Sequence, residues 1–405
     1  MSLTSTPLKP ALPRVWAEID TAAWRANFQA LARQAHPAEI LPVVKADAYG
    51  LGARQAARAM AQAGARRLLV ACLEEAEEIL DLGLALPVQI LGASVPEEIS
   101  KIVARGIIAS VPDLATGRLL SREAARQSRA VKVQFQIDSG MGHLGLRTEQ
   151  APAAIAEIAA LPGIEVEGIY SHFPAAELAD PDTLRQIQEV ADLIRMLEAK
   201  GIHFAFRHFA NSAGIAGLPQ ALQPPFNSAR PGIALHGASM PGDPLPKAAL
   251  RQGLTLKTRL VSVRELVAGA TVGYGRTYTL RASERIGAVA IGYADGYHRD
   301  FSNRGVMLMR GRRCPVVGRV CMDYTPISLA AVPDAELGDE VVVYGAQGND
   351  FISLAEQAAK AGTISYELMC ILGRRVQRLY RHEDDRTDDR GAEPRSDTTP
   401  TPPIG

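Results

Sequence analysis

The stretch Leu41-Pro-Val-Val-Lys-Ala-Asp-Ala-Tyr-Gly50 joins a short aliphatic run to a lysine and then to a flexible turn. Pro42-Val43-Val44 reads as a buried strand. Lys45 closes it, so its stem lies in apolar surroundings and its amine at a mouth. Burial and neighbouring cations lower a lysine pKa, and a neutral amine condenses with an aldehyde. Tyr49 and Gly50 bring a hydroxyl and a turn close by. A strand-end lysine taken alone is more often a solvated surface charge. The rest of the chain gives this one its weight.

Working outward, short aliphatic runs alternate with longer helical ones from Ile40 to about Gly237. The strand candidates are Leu41–Lys45, Leu68–Cys72, Val88–Leu91, Ile107–Val111, Val131–Asp138, Val166–His172, Phe204–Asn211 and Ile233–Gly237. Amphipathic stretches lie between them, several stopping at a glycine such as Gly64 or Gly106, the expected helix terminator. Eight strands, each followed by a helix, are the pattern of a (β/α)8 TIM-like barrel, within an α/β class. An open doubly wound sheet is the alternative, because counting strands does not prove closure. The dinucleotide-binding glycine fingerprint is absent after the early strands.

A barrel carries its chemistry at the C-terminal ends of its strands. Polar residues collect there: Lys45; Asp138-Ser-Gly-Met141-Gly-His143; His172; His208 with Asn211-Ser212; and Arg230-Pro-Gly232-Ile233. Each has a plain structural reading, a satisfied histidine or a tight turn, but their joint placement on one rim is harder to dismiss. Asn211-Ser-Ala-Gly214 and Gly232-Ile233 suit an anion, since small residues let backbone N–H groups approach. A phosphate there and an imine-forming Lys45 together hold a phosphorylated aldehyde, pyridoxal 5'-phosphate.

After Pro241-Gly-Asp-Pro244 the texture becomes β-rich, with strands expected at Leu256–Leu266, Ile286–Ile291, Val306–Arg310, Val316–Val320 and Glu340–Tyr344 and a helix at Leu354–Ala361. The domains are therefore expected at 14–246 (the cofactor-binding barrel) and 247–381 (a C-terminal β domain), with 382–405 a disordered charged and Pro/Thr-rich tail. Lysine plus arginine and aspartate plus glutamate both total 44, so nothing points to nucleic acid or an anionic membrane as partner. Met1 to Pro13 lacks the basic start and apolar core of a signal peptide, and no run is long enough to span a membrane. Cys72, Cys314, Cys321 and Cys370 form no CxxC pair and are read as reduced thiols of a cytoplasmic protein, with no metal site expected.

The motifs, in their order, resemble the alanine racemase family of fold-type III pyridoxal phosphate enzymes. They are Val43-Val-Lys-Ala-Asp-Ala-Tyr-Gly50, Asp138-Ser-Gly-Met-Gly-His143, Ser171-His-Phe173, Asn211-Ser-Ala213, Arg230-Pro-Gly-Ile233, Gly273-Tyr-Gly-Arg-Thr-Tyr278, Gly292-Tyr-Ala-Asp-Gly296, Arg319-Val-Cys-Met-Asp323 and Tyr366-Glu367, and the likeness runs from Arg14 to Tyr380. The resemblance implies a head-to-tail homodimer whose active sites take second-domain residues from the partner. It implies Lys45 as the Schiff-base lysine and one of two acid/base groups, with Tyr274 the other, on the opposite face. Tyr49, Ser212, Gly232, Ile233 and Tyr366 match phosphate holders. Arg230 matches the arginine facing the pyridine nitrogen, and His172 the histidine that steadies it. Met322, Tyr293, Asp323 and Met141 match substrate-side positions, Tyr293 at a constriction on the way in and Asp323 in the corridor. The implied activity is interconversion of L- and D-alanine, with D-alanine going to peptidoglycan. A serine or broad-specificity racemase, and a non-catalytic cofactor-binding protein, are the alternatives.

Four positions depart from the family's pattern, two of them matched. Gln136 stands where a lysine, frequently carbamylated, is common, and His143 where an arginine contacts the cofactor's phenolic oxygen. Losing the anion and the permanent cation together reads as a matched change that preserves the site. Leu51 and His236 depart as well, where histidine and tyrosine are usual.

Overall fold

The computed structural model describes residues 13–240 and 249–382, so the expected disorder from 383 onward lies outside the described residues. The barrel is closed. Its strands are Glu39–Ile40, Leu68–Val70, Val88–Ile90, Ala109–Val111, Val131–Asp138, Ile164–Ser171, Phe206–His208 and Ser228–Ala229, all parallel where they pair. Two single bridges complete the circuit: Val43 with Leu69, and Gln89 with Ile108. The eighth strand returns to the first, Ser228 opposite Glu39. These pairings exclude the open sheet.

Two of the helices around the barrel begin where a carboxylate takes an orphan N–H of the first turn. Asp113 accepts from Thr116 N at 2.7 Å and Asp180 from Thr183 N at 2.8 Å. Gly64 and Gly106 end their helices in the left-handed conformation, as their positions indicate.

The eighth strand is not Ile233–Gly237. Those residues form a short 3-10 turn, Ile233–His236, and the strand lies five residues earlier. Pro231 lacks an N–H and Gly232 is held in an unusual conformation, so the chain leaves the sheet there. Pairing with Glu39–Ile40, rather than the aliphatic content of 233–235, selects Ser228–Ala229.

The second domain is built on a nine-stranded sheet. Its path runs Arg312–Pro315, Val306–Met309, Glu340–Gln347, Leu254–Leu266, Val15–Asp20 and Gln377–Arg381. Two expectations change here. Val316–Val320 is not a strand; Val316 makes one bridge to Ile327, and the strands are its flanks, Arg312–Pro315 and Thr325–Ser328. The segment Val15–Asp20, expected to open the barrel domain, pairs instead with Leu254–Leu266 and Gln377–Arg381 in the second sheet. The helix Thr21–Ala35 then carries the chain to the barrel, where Asn27 donates to Leu235 O and Arg251 O at 2.9 and 2.8 Å.

Candidate active site

Lys45 does not close a strand Leu41–Lys45: the first barrel strand is Glu39–Ile40, one further bridge follows at Val43, and Lys45 opens a sharp turn. Ala46, Asp47, Ala48 and Tyr49 have φ of 52, 53, 49 and 60°, a left-handed turn of four non-glycine residues. Such a turn costs about 1–2 kcal/mol per residue, so it persists only where its surroundings over-determine it. They do. Glu75 accepts from Ala46 N at 2.7 Å, and Asp47 accepts from Ala53 N at 2.6 Å. From the second domain, Arg378 donates twice to Gly50 O, at 3.1 and 3.2 Å, and Tyr380 Oη to Leu51 O at 3.0 Å. Gly50 lies against the helix Ser365–Cys370, and a Cβ there would meet Met369 O at 2.6 Å.

Beside this turn opens a cavity of about 580 Å³, within the size range of small-molecule and cofactor sites. Lys45, Tyr49, Met141, His143, His172, Ser212, Arg230, Gly232 and Tyr366 line it. Ile233 does not; its side chain is buried behind Gly232. Tyr274, Tyr293, Met322 and Asp323 do not line it either. Tyr274 is 72 % exposed and Met322 53 % exposed on the second domain, and Asp323 is paired with Arg375 at 2.7 Å. One chain therefore brings together nine of the expected site residues and leaves the second-domain set facing outward.

One wall is an anion cradle. Ser212 Oγ accepts from Gly232 N at 3.1 Å and Ala234 N at 3.3 Å, which leaves its proton to donate. Tyr49 Oη sits over the Gly232 backbone, where a Cβ would come within 1.9 Å of it. Only glycine permits that approach. The Tyr49 and Tyr366 rings lie 5.7 Å apart, and burial holds the Tyr49 hydroxyl well above its ordinary pKa, as a hydrogen-bond donor.

The floor is a buried cation. Arg230 donates to His208 Nδ1 at 2.6 Å, His208 O at 2.9 Å and Ser171 O at 2.6 Å, with its guanidinium 5.2 Å from the Tyr170 ring centroid. Burial lowers its pKa to about 10, which leaves it charged at neutral pH. The chain of donors beneath it has one consistent polarity. The Glu167 carboxylate, paired with Arg67 at 2.8 Å, accepts from Gln134 Nε2 at 3.0 Å. Gln134 Oε1 is thus the acceptor facing Gln89 Nε2 at 2.9 Å and His208 Nε2 at 2.7 Å. His208 carries its proton on Nε2 and offers Nδ1 to Arg230, which only donates. Burial, then the Arg230 and Arg67 charges, push the His208 pKa far down. His172, 3.4 Å from Arg230, is lowered to about 3 by burial first and by the Arg230, Lys45 and His143 charges after it. Both imidazoles are neutral.

These residues fit pyridoxal phosphate: an amine at the mouth, a small-residue cradle of donors for a phosphate, and a fixed cation at the floor. Gln136 Oε1, buried at the wall, has no partner among the described residues. No group of three or more His, Cys, Asp or Glu positioned for a metal occurs among the described residues. Sequence reading missed Glu75, Tyr170 and the relay through Gln134. The available signal was glutamine in mid-strand, Gln89 and Gln134, where apolar residues were due.

A closed barrel with a strand-end lysine, an anion cradle on its last two loops and an appended β domain defines the fold-type III class of pyridoxal phosphate enzymes. The sequence model of the alanine racemase N-terminal domain matches residues 19–240, and that of the C-terminal domain 253–380. The alanine racemase of Symbiobacterium thermophilum is 40% identical over 367 residues, covering 90% of this chain and 96% of that protein. That of Carboxydothermus hydrogenoformans is 38% identical over 369 residues, covering 90% and 99%. Among solved structures, alanine racemase from D-cycloserine-producing Streptomyces lavendulae superposes with a TM-score of 0.86 at 32% identity, over 92% of this chain and 98% of that one. The Bacillus anthracis enzyme with bound L-Ala-P gives 0.83 at 31%, over 92% and 96%. The chain belongs to the alanine racemase family, whose members depend on pyridoxal 5'-phosphate.

Proposed function

We propose that this enzyme interconverts L- and D-alanine with two bases, Lys45 from one chain and Tyr274 from a second copy. The observation that carries the reading is the cavity itself, which Lys45 and a pinned, charged Arg230 both line. When bound, the cofactor acidifies the α-proton of an amino acid conjugated to its ring. Lys45 holds the cofactor through its amine and, once released, takes or returns the proton on one face. Tyr49, Ser212, Gly232, Ile233 and Tyr366 hold the phosphate. Arg230 gives up no proton at neutral pH, so it would keep a ring nitrogen held against it unprotonated and would discourage side reactions that need full charge delocalisation. Neutral His172 steadies Arg230 without adding charge, and His143 and Met141, which line the same cavity, would contact the cofactor and the substrate.

The second base comes from a head-to-tail homodimer in this reading. Tyr274, Tyr293, Met322 and Tyr324 are large, exposed side chains of the second domain. Tyr293 and Met322 adjoin through the Ala294 N–H to Met322 O bond at 3.0 Å. Contiguous exposed apolar surface of this kind, as at Tyr293 and Met322, is typical of interaction sites. Tyr274 then meets the open face of the partner's cavity, with Met322, Tyr293 and Asp323 on the substrate's path. All four cysteines are free, which accords with a cytoplasmic enzyme supplying D-alanine for cell-wall synthesis. The deciding experiment is chiral chromatography after incubating the loaded protein with L-alanine, L-serine and a small amino-acid panel. D-alanine forming fastest is the expected result. No D-product from any of them, with cofactor bound, overturns the assignment.

A further inference from the structure

We infer that Glu75 is a positioning residue for Lys45, its two carboxylate oxygens setting the direction in which the lysine leaves the barrel rim. Glu75 lies in the first turn of the helix Leu73–Leu80, after the second barrel strand. One oxygen accepts from Ala71 N at 2.8 Å. That contact is ordinary helix capping, a third-position acid reaching back to the N–H groups ahead of its helix. The other oxygen accepts from Ala46 N at 2.7 Å, and capping does not require it. Ala46 N–H belongs to the peptide that follows Lys45 and is the entrance to the left-handed turn.

The pins on that turn divide by position. Asp47, Arg378 and Tyr380 hold its interior and exit. Glu75 holds the entrance, next to the reactive residue. Because its other oxygen is fixed to Ala71 at the end of the second strand, the carboxylate ties the ends of two neighbouring strands together. Without it the Lys45–Ala46 peptide is free to rotate toward the right-handed region that alanine prefers, and the Lys45 Cα–Cβ direction turns with it.

Glutamine separates the two roles. At the third helical position it still caps Ala71, and its one acceptor oxygen then leaves Ala46 N–H without its partner. The inference rests on Lys45 holding the cofactor and serving as a base. The experiment is made on Glu75→Gln, with Glu75→Asp as a second variant that keeps the charge on a shorter arm and Glu74→Gln as control. Two readouts are taken: the rate of borohydride-trapped pyridoxal phosphate on the Lys45 peptide, by mass spectrometry, and the primary isotope effect with α-deuterated alanine in each direction. A misaimed amine slows capture by about tenfold to a hundredfold and raises the isotope effect only in the direction where Lys45 removes the proton. Unchanged capture overturns the inference. So does an isotope effect that changes equally in both directions, or failure of both variants to fold, either of which makes Glu75 a structural cap alone. A wild-type chain that captures cofactor but yields no D-alanine sinks the proposed function and leaves the capture comparison readable.

Discussion

His236 is buried between Trp24 and Tyr49, 5.2 and 5.3 Å from their ring centroids, with neither ring nitrogen hydrogen-bonded among the described residues. Burial lowers its pKa to about 3 from 6.5. Between those values the unfolded chain binds a proton that the folded chain refuses, so stability present above pH 6.5 falls as the pH drops toward 3. His236→Phe removes that dependence and an unsatisfied buried group. Urea unfolding is expected to show a gain of about 1–3 kcal/mol at neutral pH and a flatter decline toward pH 5; an unchanged slope refutes the account. Gln136 makes a different demand. Lysine at that position would set an ammonium in a wall that already holds Lys45, His143, His172 and Arg230. Gln136→Lys is therefore expected to take up a carbamate, visible in its crystal structure. A stable variant with normal kinetics and an unmodified lysine would argue against the matched change of Gln136 with His143. These departures were legible in the chain's residues, but His236's place between two rings was not, because Trp24 is 212 positions away in sequence.

At the scale of elements, the cradle is two loops meeting. Ser212 opens the short helix after the seventh strand, and Gly232 follows the eighth. Gly232→Ala forces its Cβ against the Tyr49 hydroxyl and displaces the ring. Cofactor affinity, measured by equilibrium dialysis, is expected to fall by at least tenfold, about 1.4 kcal/mol or more, with the melting temperature of the cofactor-free chain changed less. Equal affinity would show that Tyr49 plays no part in holding the phosphate. Among the barrel strands with strong aliphatic runs, Val131–Asp138 was legible at its full bounds, and Leu68–Val70, Val88–Ile90, Ala109–Val111 and Ile164–Ser171 to within two residues at either end. The two-residue strands Glu39–Ile40 and Ser228–Ala229 were not, because their length is set by barrel closure and leaves no periodicity to read. The left-handed turn after Lys45 was equally hidden. Nothing in Ala-Asp-Ala-Tyr favours positive φ at four successive positions; the hydrogen bonds from Glu75, Arg378 and Tyr380 impose it.

For the whole molecule, the proposed dimer makes a prediction that no monomer meets. Lys45→Ala and Tyr274→Phe chains are each expected to be nearly inactive. Mixed in equal amounts and allowed to exchange, half of the dimers pair one of each and carry one intact site, so about a quarter of wild-type racemase activity returns. No recovery on exchange, with mixed dimers demonstrated by mass spectrometry, would place both bases in one chain. The order of motifs along the sequence determined the family, singled out Lys45 as the expected reactive lysine and indicated the division into a barrel and a β-rich part, since these rest on local composition and short spacings. Tertiary structure alone decided that the first strand, Val15–Asp20, belongs to the second sheet, that the barrel closes, and that Glu167 orients His208 beneath Arg230. Each of these depends on partners far apart in sequence, and a backbone pairing or a proton's position is settled only when the chain brings both partners within hydrogen-bond reach.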